Sequence, residues 1–74
     1  MTRLPRLKGK EIVRYLERVG FRVARTRGSH AVLKHPDGRT TVVPLHSNET
    51  IGPGLLRAIL RDVEISVEDF LKLL

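Results

Sequence analysis

The chain contains no cysteine, which limits what can hold so short a protein together. A chain of 74 residues can bury only about 60% of the surface that it exposes when unfolded, which is enough for one small core. Neither a disulfide framework nor a thiolate metal site can reinforce that core. We therefore expect a single domain over residues 1–74 that is held together by side-chain packing.

The segment KGKEIVRYLERVGF predicts a first helix over residues 9–19, because its apolar residues recur at helical spacing. These residues are Ile12, Val13, Leu16 and Val19. Gly20 follows at the place where a helix commonly ends in a left-handed residue. We expect a change from helix to strand at this glycine.

Three strands are predicted next, at about residues 21–26, 29–35 and 40–45. A tight turn at Arg27 and Gly28 joins the first two. The sequence HPDG, residues 35–38, predicts the second turn, because proline presets φ and glycine accepts a positive φ. Pro44 near the end of the third strand, TTVVPL, favours a place at the sheet edge.

Two helices are predicted after a polar loop, HSNETIGPG. The earlier helix has Pro53 near its first position, and its apolar stripe must be buried against the sheet. That stripe consists of Leu55, Leu56, Ile59, Leu60 and Val63. Ser66 marks the start of the later helix, where its side-chain oxygen can cap free amides and the acidic Glu68 and Asp69 favour the positive end of the helix dipole.

The predicted fold class is α+β in the order α-β-β-β-α(-α), with a three-stranded antiparallel sheet and the helices packed on one face. Side chains alternate along a strand, so the second strand presents two sets of residues. The more apolar set, which we expect to face the helices, is Ala31, Leu33 and His35. The other set, which we expect on the open face of the sheet, is His30, Val32 and Lys34.

Positive charge is concentrated in the first half of the chain. Fourteen Lys and Arg against eight Asp and Glu give a formal charge of +6, which attracts polyanions. Most of these basic residues fall before residue 40. Nucleic acid is the expected partner, and the alternative is a charged surface that only keeps the protein in solution.

Several classes of function are not expected. No apolar run approaches the roughly 20 residues of a membrane helix, and the basic start MTRLPRLKGK is followed by no apolar signal segment. We expect a soluble, cytoplasmic protein without membrane attachment or a small-molecule cofactor. A zinc site at His30, His35 and His46 is not expected, because it would lack cysteine and recognised ligand spacing, and side-chain alternation separates His30 from His35.

Five elements of the sequence, taken in order, resemble the HicA (YcfA-like) family of small messenger-RNA interferase toxins. The resemblance runs from about Leu7 to Phe70. The elements are GF at residues 20–21, GSH at 28–30, HPDG at 35–38, VVPLH at 42–46 and PGLLRAILRDVEISVEDF at 53–70. The resemblance implies a double-stranded-RNA-binding-domain-like fold and a HicB-like antitoxin that covers the basic active face.

In the family, the histidine of the GSH element is implicated in toxicity, and it corresponds to His30. The resemblance therefore implies an endoribonuclease toxin that cleaves messenger RNA with His30 as the catalytic residue. The chain departs from the family at Lys8, where many members carry a serine or threonine suited to capping the first helix. That departure bears on helix stability rather than on the chemistry.

The chemistry of metal-independent RNA cleavage agrees with this expectation. It needs a base for the 2′-hydroxyl and an acid for the leaving oxygen, and imidazole, with a pKa of about 6.5, can serve as either. His46 is the candidate for a second proton-transfer group, and Lys34 for support of the transition-state charge. Candidate RNA-binding residues are Arg25, Arg27, Ser29, Lys34 and Arg39.

Two alternatives remain open at this point. One is a non-catalytic module that docks on folded RNA by shape, with His30 as one more polar contact. The other is a protein-interaction domain whose basic surface binds an acidic partner. Because aromatic residues that could stack on bases are few, any RNA contacts should be mostly to phosphate and ribose.

Overall fold

The computed structural model describes residues 4–47 and 49–74. Arg3 of the basic segment and Asn48 of the predicted polar loop lie outside the described residues. The elements in chain order are β1 (Leu7–Lys8), α1 (Gly9–Arg18), β2 (Arg22–Arg27), β3 (His30–Lys34), β4 (Thr40–Pro44), β5 (Thr50–Ile51), α2 (Pro53–Asp62) and α3 (Val67–Lys72). The predicted α+β class with a three-stranded antiparallel sheet is confirmed.

The main sheet has the strand order β2-β3-β4, so β4 lies at an edge, as Pro44 predicts. Arg27 pairs with His30, which makes Gly28 and Ser29 the two central residues of the first turn, one position later than predicted. Gly28 has a φ of 56°, which fits a hairpin turn that needs a positive φ at its first central residue. This turn length fixes where His30 starts β3.

The helices cover one face of the main sheet and form a single core with it. Ala31, Leu33 and Val43 of the sheet are buried against apolar residues of all three helices. The helical members of the core are Ile12, Tyr15, Leu16, Leu56, Ile59, Leu60 and Phe70. The predicted orientation of Ala31 and Leu33 toward the helices is confirmed.

The ends of α1 follow directly from the local sequence. Gly20, at a φ of 102°, lets the amide of Phe21 donate to the carbonyl of Leu16 at 3.0 Å and closes the helix with a left-handed residue, as predicted. At the other end Lys8 offers no capping oxygen, but its own amide donates to the carboxylate of Glu11 at 2.9 Å. The acidic residue in the first turn thus supplies part of the capping that Lys8 lacks.

A second, two-stranded sheet was missed by the sequence analysis. Leu7 pairs with Ile51 and Lys8 with Thr50, so part of the predicted polar loop is strand β5. Next to this pairing, Gly9 lies so close to β4 that a Cβ there would overlap the carbonyl oxygen of Pro44. The start of α1 is therefore held directly against the end of β4. None of the helices within residues 4–47 and 49–74 is long and apolar enough to cross a bilayer.

Candidate functional site

A β-bulge in β2 decides which basic side chains share a face of the sheet. Val23 pairs with Leu33 and Arg25 with Val32, so Ala24 is the extra residue between them. Regular alternation would have placed Arg25 on the face of Val23, toward the helices. The bulge instead turns Arg25 to the opposite face.

The open face, which the helices leave uncovered, consists of three rows of side chains across β2, β3 and β4, because paired residues of antiparallel strands lie on the same face. The rows are Arg27, His30 and Pro44; Arg25, Val32 and Val42; and Arg22, Lys34 and Thr40. All four cations of these rows are exposed. They lie along β2 and at the far end of β3, beside a central apolar strip of Val32 and Val42, and Val42 is 44% exposed.

His30 lies at one end of the open face, and His46 lies beside it. His30 is the first residue of β3 and pairs with Pro44, two residues before His46. Beyond that pair, the amide of Leu45 donates to the carbonyl oxygen of Ser29 and continues the contact between the two segments. As a result, the centroids of the His30 and His46 rings are 6.1 Å apart, with the ring planes at 82°.

Ser29 and a cleft complete the surroundings of His46. The Ser29 Oγ and His46 Nε2 atoms lie 3.4 Å apart, and the tautomer of the ring decides which of them donates. A cleft of about 130 Å³ next to the ring is lined by Lys8, Gly9 and Lys10 at the start of α1. Both histidines are exposed, so an anionic ligand has access to them and to these lysines.

Lys34 is not adjacent to His30, although both residues lie on the open face as predicted. Four residues along a strand span about 13 Å, which places Lys34 at the opposite end of the face, opposite Arg22. The Lys34 side chain therefore cannot contact a phosphate that is bound at His30. Lys34 is therefore placed to contact a neighbouring part of an extended ligand.

Arg39 does not join the cations of the open face. Its guanidinium donates to the Asp37 carboxylate at 2.9 Å and to the backbone carbonyl of Val63 at the end of α2. The same group lies over the ring of Phe21 on the helix side, 5.1 Å from its centroid. The expectation that Arg39 holds RNA phosphates does not fit this placement, because the guanidinium is already engaged in joining the β3–β4 turn to α2.

His35 belongs to the same turn, as its position before proline suggested. Its Nδ1 accepts from the amide of Asp37 at 3.1 Å, and its ring packs edge-on against Phe21 with 5.0 Å between centroids. The amide of Arg39 donates to the Asp37 carboxylate, and this bond is the main cause that lowers the pKa of Asp37 below its ordinary value. His35 thus lies on the helix side of the sheet, on the face opposite to His30.

The site offers proton-transfer groups and cations rather than a metal-binding cluster. Within the two described segments, no group of three or more His, Asp or Glu side chains is arranged to hold a metal ion. Two accessible imidazoles next to one another can accept a proton from one atom of a ligand and donate a proton to another. The cations of the open face can bind the phosphates of a polyanion.

Some members of this surface were missed by sequence reasoning. Arg22 and the apolar strip of Val32 and Val42 were not predicted as site residues, and the cleft at Lys8 and Lys10 was not anticipated. Arg22 could have been found from the pairing of its strand with β3, since it lies opposite Lys34. The cleft could not, because it depends on the contact of α1 with the end of β4.

Comparison with known proteins gives one result that covers most of this architecture. The family model described as the HicA toxin of bacterial toxin–antitoxin systems matches residues 9–65, from the start of α1 to just past α2. A search of curated proteins finds none that matches the chain. The family match spans well over half of the 74 residues and includes His30, His46 and the whole main sheet. The chain therefore belongs to the HicA family of toxins from bacterial toxin–antitoxin systems.

Proposed function

We propose that this toxin is an endoribonuclease that cleaves messenger RNA in the cytoplasm, with His30 as a general acid or base. The observation that carries the proposal is the position of His30, exposed at the end of a face that also presents Arg22, Arg25, Arg27 and Lys34. An RNA strand on that face would bring a phosphodiester to the imidazole. Reaction at neutral pH suits a group whose ordinary pKa is about 6.5.

Binding of the RNA would rest on its backbone rather than on its bases. The open face has cations at both ends, and no Tyr or Phe belongs to its three rows. Arginine and lysine bind phosphate strongly, whereas reading of single-stranded bases relies on aromatic stacking. Arg25 and Arg27 lie in the rows of Val32 and His30, which suits them to phosphates next to the scissile bond. Ser29 adds a hydroxyl beside the same bond.

The partner implied by the family is an antitoxin, and we propose a HicB-like protein that covers the open face. An acidic surface over Arg22, Arg25 and Arg27 would compete with RNA for the same cations. It would also block access to His30. Binding and cleavage would therefore be inhibited together, by one contact.

The proposal is tested by cleavage of a mixed-sequence RNA by purified wild type and His30→Ala in the presence of EDTA. We expect wild type to cleave and His30→Ala to lose roughly 10²- to 10⁴-fold in rate, as for removal of a general acid or base. Thr40→Ala is the matched control, since Thr40 is exposed on the same face in the row farthest from His30. Circular dichroism checks that all three proteins are folded.

The second candidate function is a non-catalytic RNA-binding module, which the exposed cations alone would support. If wild type binds RNA through the open face but does not cleave it, this candidate replaces the nuclease. Equal cleavage by wild type and His30→Ala would instead exclude His30 from the chemistry.

A further inference from the structure

We propose that His46 is the second proton-transfer group of this site and that Ser29 positions its ring. The inference rests on the proposed nuclease function and adds to it a second proton-transfer residue and a residue that positions it. It follows from the packing of three segments: the β2–β3 turn, the end of β4 and the start of α1.

The register of β3 and β4 brings the two histidines together. His30 pairs with Pro44, and the bond from the Leu45 amide to the Ser29 carbonyl oxygen holds the next residues of both segments side by side. His46 follows immediately, 6.1 Å from His30 between ring centroids. The backbone therefore defines the position of both rings, and neither depends on a long flexible side chain.

The separation of the rings suits a phosphodiester, which needs proton transfer at two oxygens. In cleavage by the 2′-hydroxyl, the attacking and leaving oxygens stand on opposite sides of the phosphorus. A catalytic nitrogen must come within about 3 Å of the oxygen that it serves. Two imidazoles 6.1 Å apart can each reach one of these oxygens, whereas a single ring can serve both only if it moves.

The reaction at phosphorus transfers two protons, forms one bond and breaks one bond. One imidazole takes the proton of the 2′-hydroxyl while the oxygen forms a bond to phosphorus. The other, as imidazolium, gives a proton to the 5′ oxygen as its bond to phosphorus breaks. The products are a 2′,3′-cyclic phosphate and a 5′-hydroxyl, and no co-reactant is needed.

Ser29 is the positioning residue. Its hydroxyl lies 3.4 Å from Nε2 of His46 and can either donate to that nitrogen or accept from it. A partner at one ring nitrogen sets which tautomer is present and which nitrogen faces the substrate. The third histidine of the chain, His35, has its Nδ1 occupied by the Asp37 amide and lies on the helix side, so it cannot share this role.

Charged residues from the neighbouring elements lie around the pair. Arg27 on β2 lies opposite His30, and Lys8 and Lys10 line the cleft on one side of His46. Glu49, before β5, lines a second cleft on the other side of His46. Any pH dependence of cleavage is therefore measured in the presence of these three cations and one carboxylate.

The first experiment measures single-turnover cleavage against pH for wild type, His46→Ala and Ser29→Ala. We expect wild type to give a bell-shaped profile, and His46→Ala to lose roughly 10²- to 10⁴-fold and one limb of the bell. Ser29→Ala should lower the maximal single-turnover rate more than it raises the protein concentration that gives half of that rate. It should also shift that limb of the profile, and Ser29→Thr should restore both. A structural role alone would leave the shape of the profile unchanged.

The second experiment uses an RNA with sulfur in place of the 5′ bridging oxygen at a mapped cleavage site. A thiolate leaves without a proton, so the variant that lacks the general acid regains its rate and the variant that lacks the base does not. We expect one of His30→Ala and His46→Ala to recover on this substrate, and not the other. Recovery of both variants or of neither would overturn the proposal that one histidine is the general acid and the other the general base.

The outcomes separate this inference from the proposed function. If wild type does not cleave, the nuclease proposal fails and takes the inference with it. If wild type cleaves, His30→Ala does not, and His46→Ala cleaves at the wild-type rate with an unchanged profile, only the role of His46 is overturned. Thermal unfolding of each variant shows whether a loss of rate reflects loss of fold.

Discussion

Three histidines in this chain show how the contacts of a residue decide what it can do. His35 is fixed in a turn by the Asp37 amide and by Phe21, and its chemistry is used for structure. His30 and His46 are exposed, lie side by side and have the Ser29 hydroxyl as a neighbour. Residue type alone therefore does not separate the three histidines. The strand register does, because it determines which of them are exposed and adjacent.

Among the cations, Arg39 is engaged in structural contacts whereas Arg27 is exposed, and this difference can be measured. Arg39→Ala removes the charge-assisted bond to the part-buried Val63 carbonyl, so we expect a loss of about 1.5 kcal/mol in the free energy of unfolding, to which the exposed pair with Asp37 adds little. RNA affinity should stay unchanged, because the guanidinium does not reach the open face. Urea unfolding and RNA binding measured on the same variant check both parts.

Arg27→Ala is the counterpart to this variant. Arg27 is exposed and lies opposite His30, so its removal should weaken RNA binding with little effect on stability. A drop in RNA affinity for Arg39→Ala that matched the drop for Arg27→Ala would return Arg39 to the binding surface.

At the scale of the elements, α1 and α2 end in the same way but with different residues. In α2 the amide of Ile65 donates to the carbonyl of Leu60 at 3.0 Å, and Glu64 takes the left-handed position at a φ of 57°. A residue with a Cβ is strained by about 1 kcal/mol in this conformation. Glycine would relieve the strain, but part of the gain would be offset because glycine loses more chain entropy on folding. The end of α2 is thus less favourable than that of α1.

We therefore expect Glu64→Gly to raise the free energy of unfolding by about 0.5 kcal/mol, as seen in urea unfolding. Gly20→Ala is the reverse control. At a φ of 102° an added Cβ would be strained, and it would come within 2.7 Å of Nε2 of His35. Both variants leave the open face intact, so a change in RNA binding by either would show that the helix ends affect the site.

The elements also show what the sequence could predict. Helix α1 and the turn at residues 35–38 were predictable because periodicity, Gly20 and the HPDG sequence are local signals. The bulge at Ala24 was not, because RVARTR reads as a regular strand and only the pairing with β3 reveals the extra residue. Strands β1 and β5 have two residues each, too few for any periodic pattern.

The candidate site was predictable to the same extent. His30 followed from the family resemblance and its exposure from strand alternation. The distance from His30 to His46 depends on which residue of β4 lies opposite His30. That pairing is set by the packing of the whole sheet and has no signal in the local sequence. The position of Arg39 away from the open face was unpredictable for a similar reason, because its guanidinium binds the carbonyl of Val63, which is distant in sequence.

For the whole molecule, the four cations of the open face predict a strong dependence of RNA binding on salt. If each neutralises one phosphate of a single strand, the slope of log K against log salt is about −3. We expect the double variant Arg25→Glu, Arg27→Glu to lose at least half of this slope, since two of the four cations are removed, as read by fluorescence anisotropy across a salt series. A flat dependence in wild type would contradict binding through this face.

Arg57→Glu, Arg61→Glu is the control for this double variant. Both residues are exposed on α2, which packs on the other side of the sheet. The change in net charge is identical, so a difference between the two variants reports the position of the charges rather than their sum.

The pairing of β1 with β5 has a consequence for the order in which the molecule assembles. Strands β2, β3 and β4 are neighbours in sequence and close only short loops, whereas Leu7 and Ile51 must find each other across most of the chain. Because long loops cost more entropy to close, we expect this pairing to form late and to open early. Amide hydrogen exchange that is faster at Ile51 than at Val43 would show it. His46 lies between the Leu45–Ser29 bond, which extends the main sheet, and strand β5. Opening of the β1–β5 pairing would free the chain on one side of His46 only, so the protein would keep its basic face and lose part of the support that places its proposed second proton-transfer group.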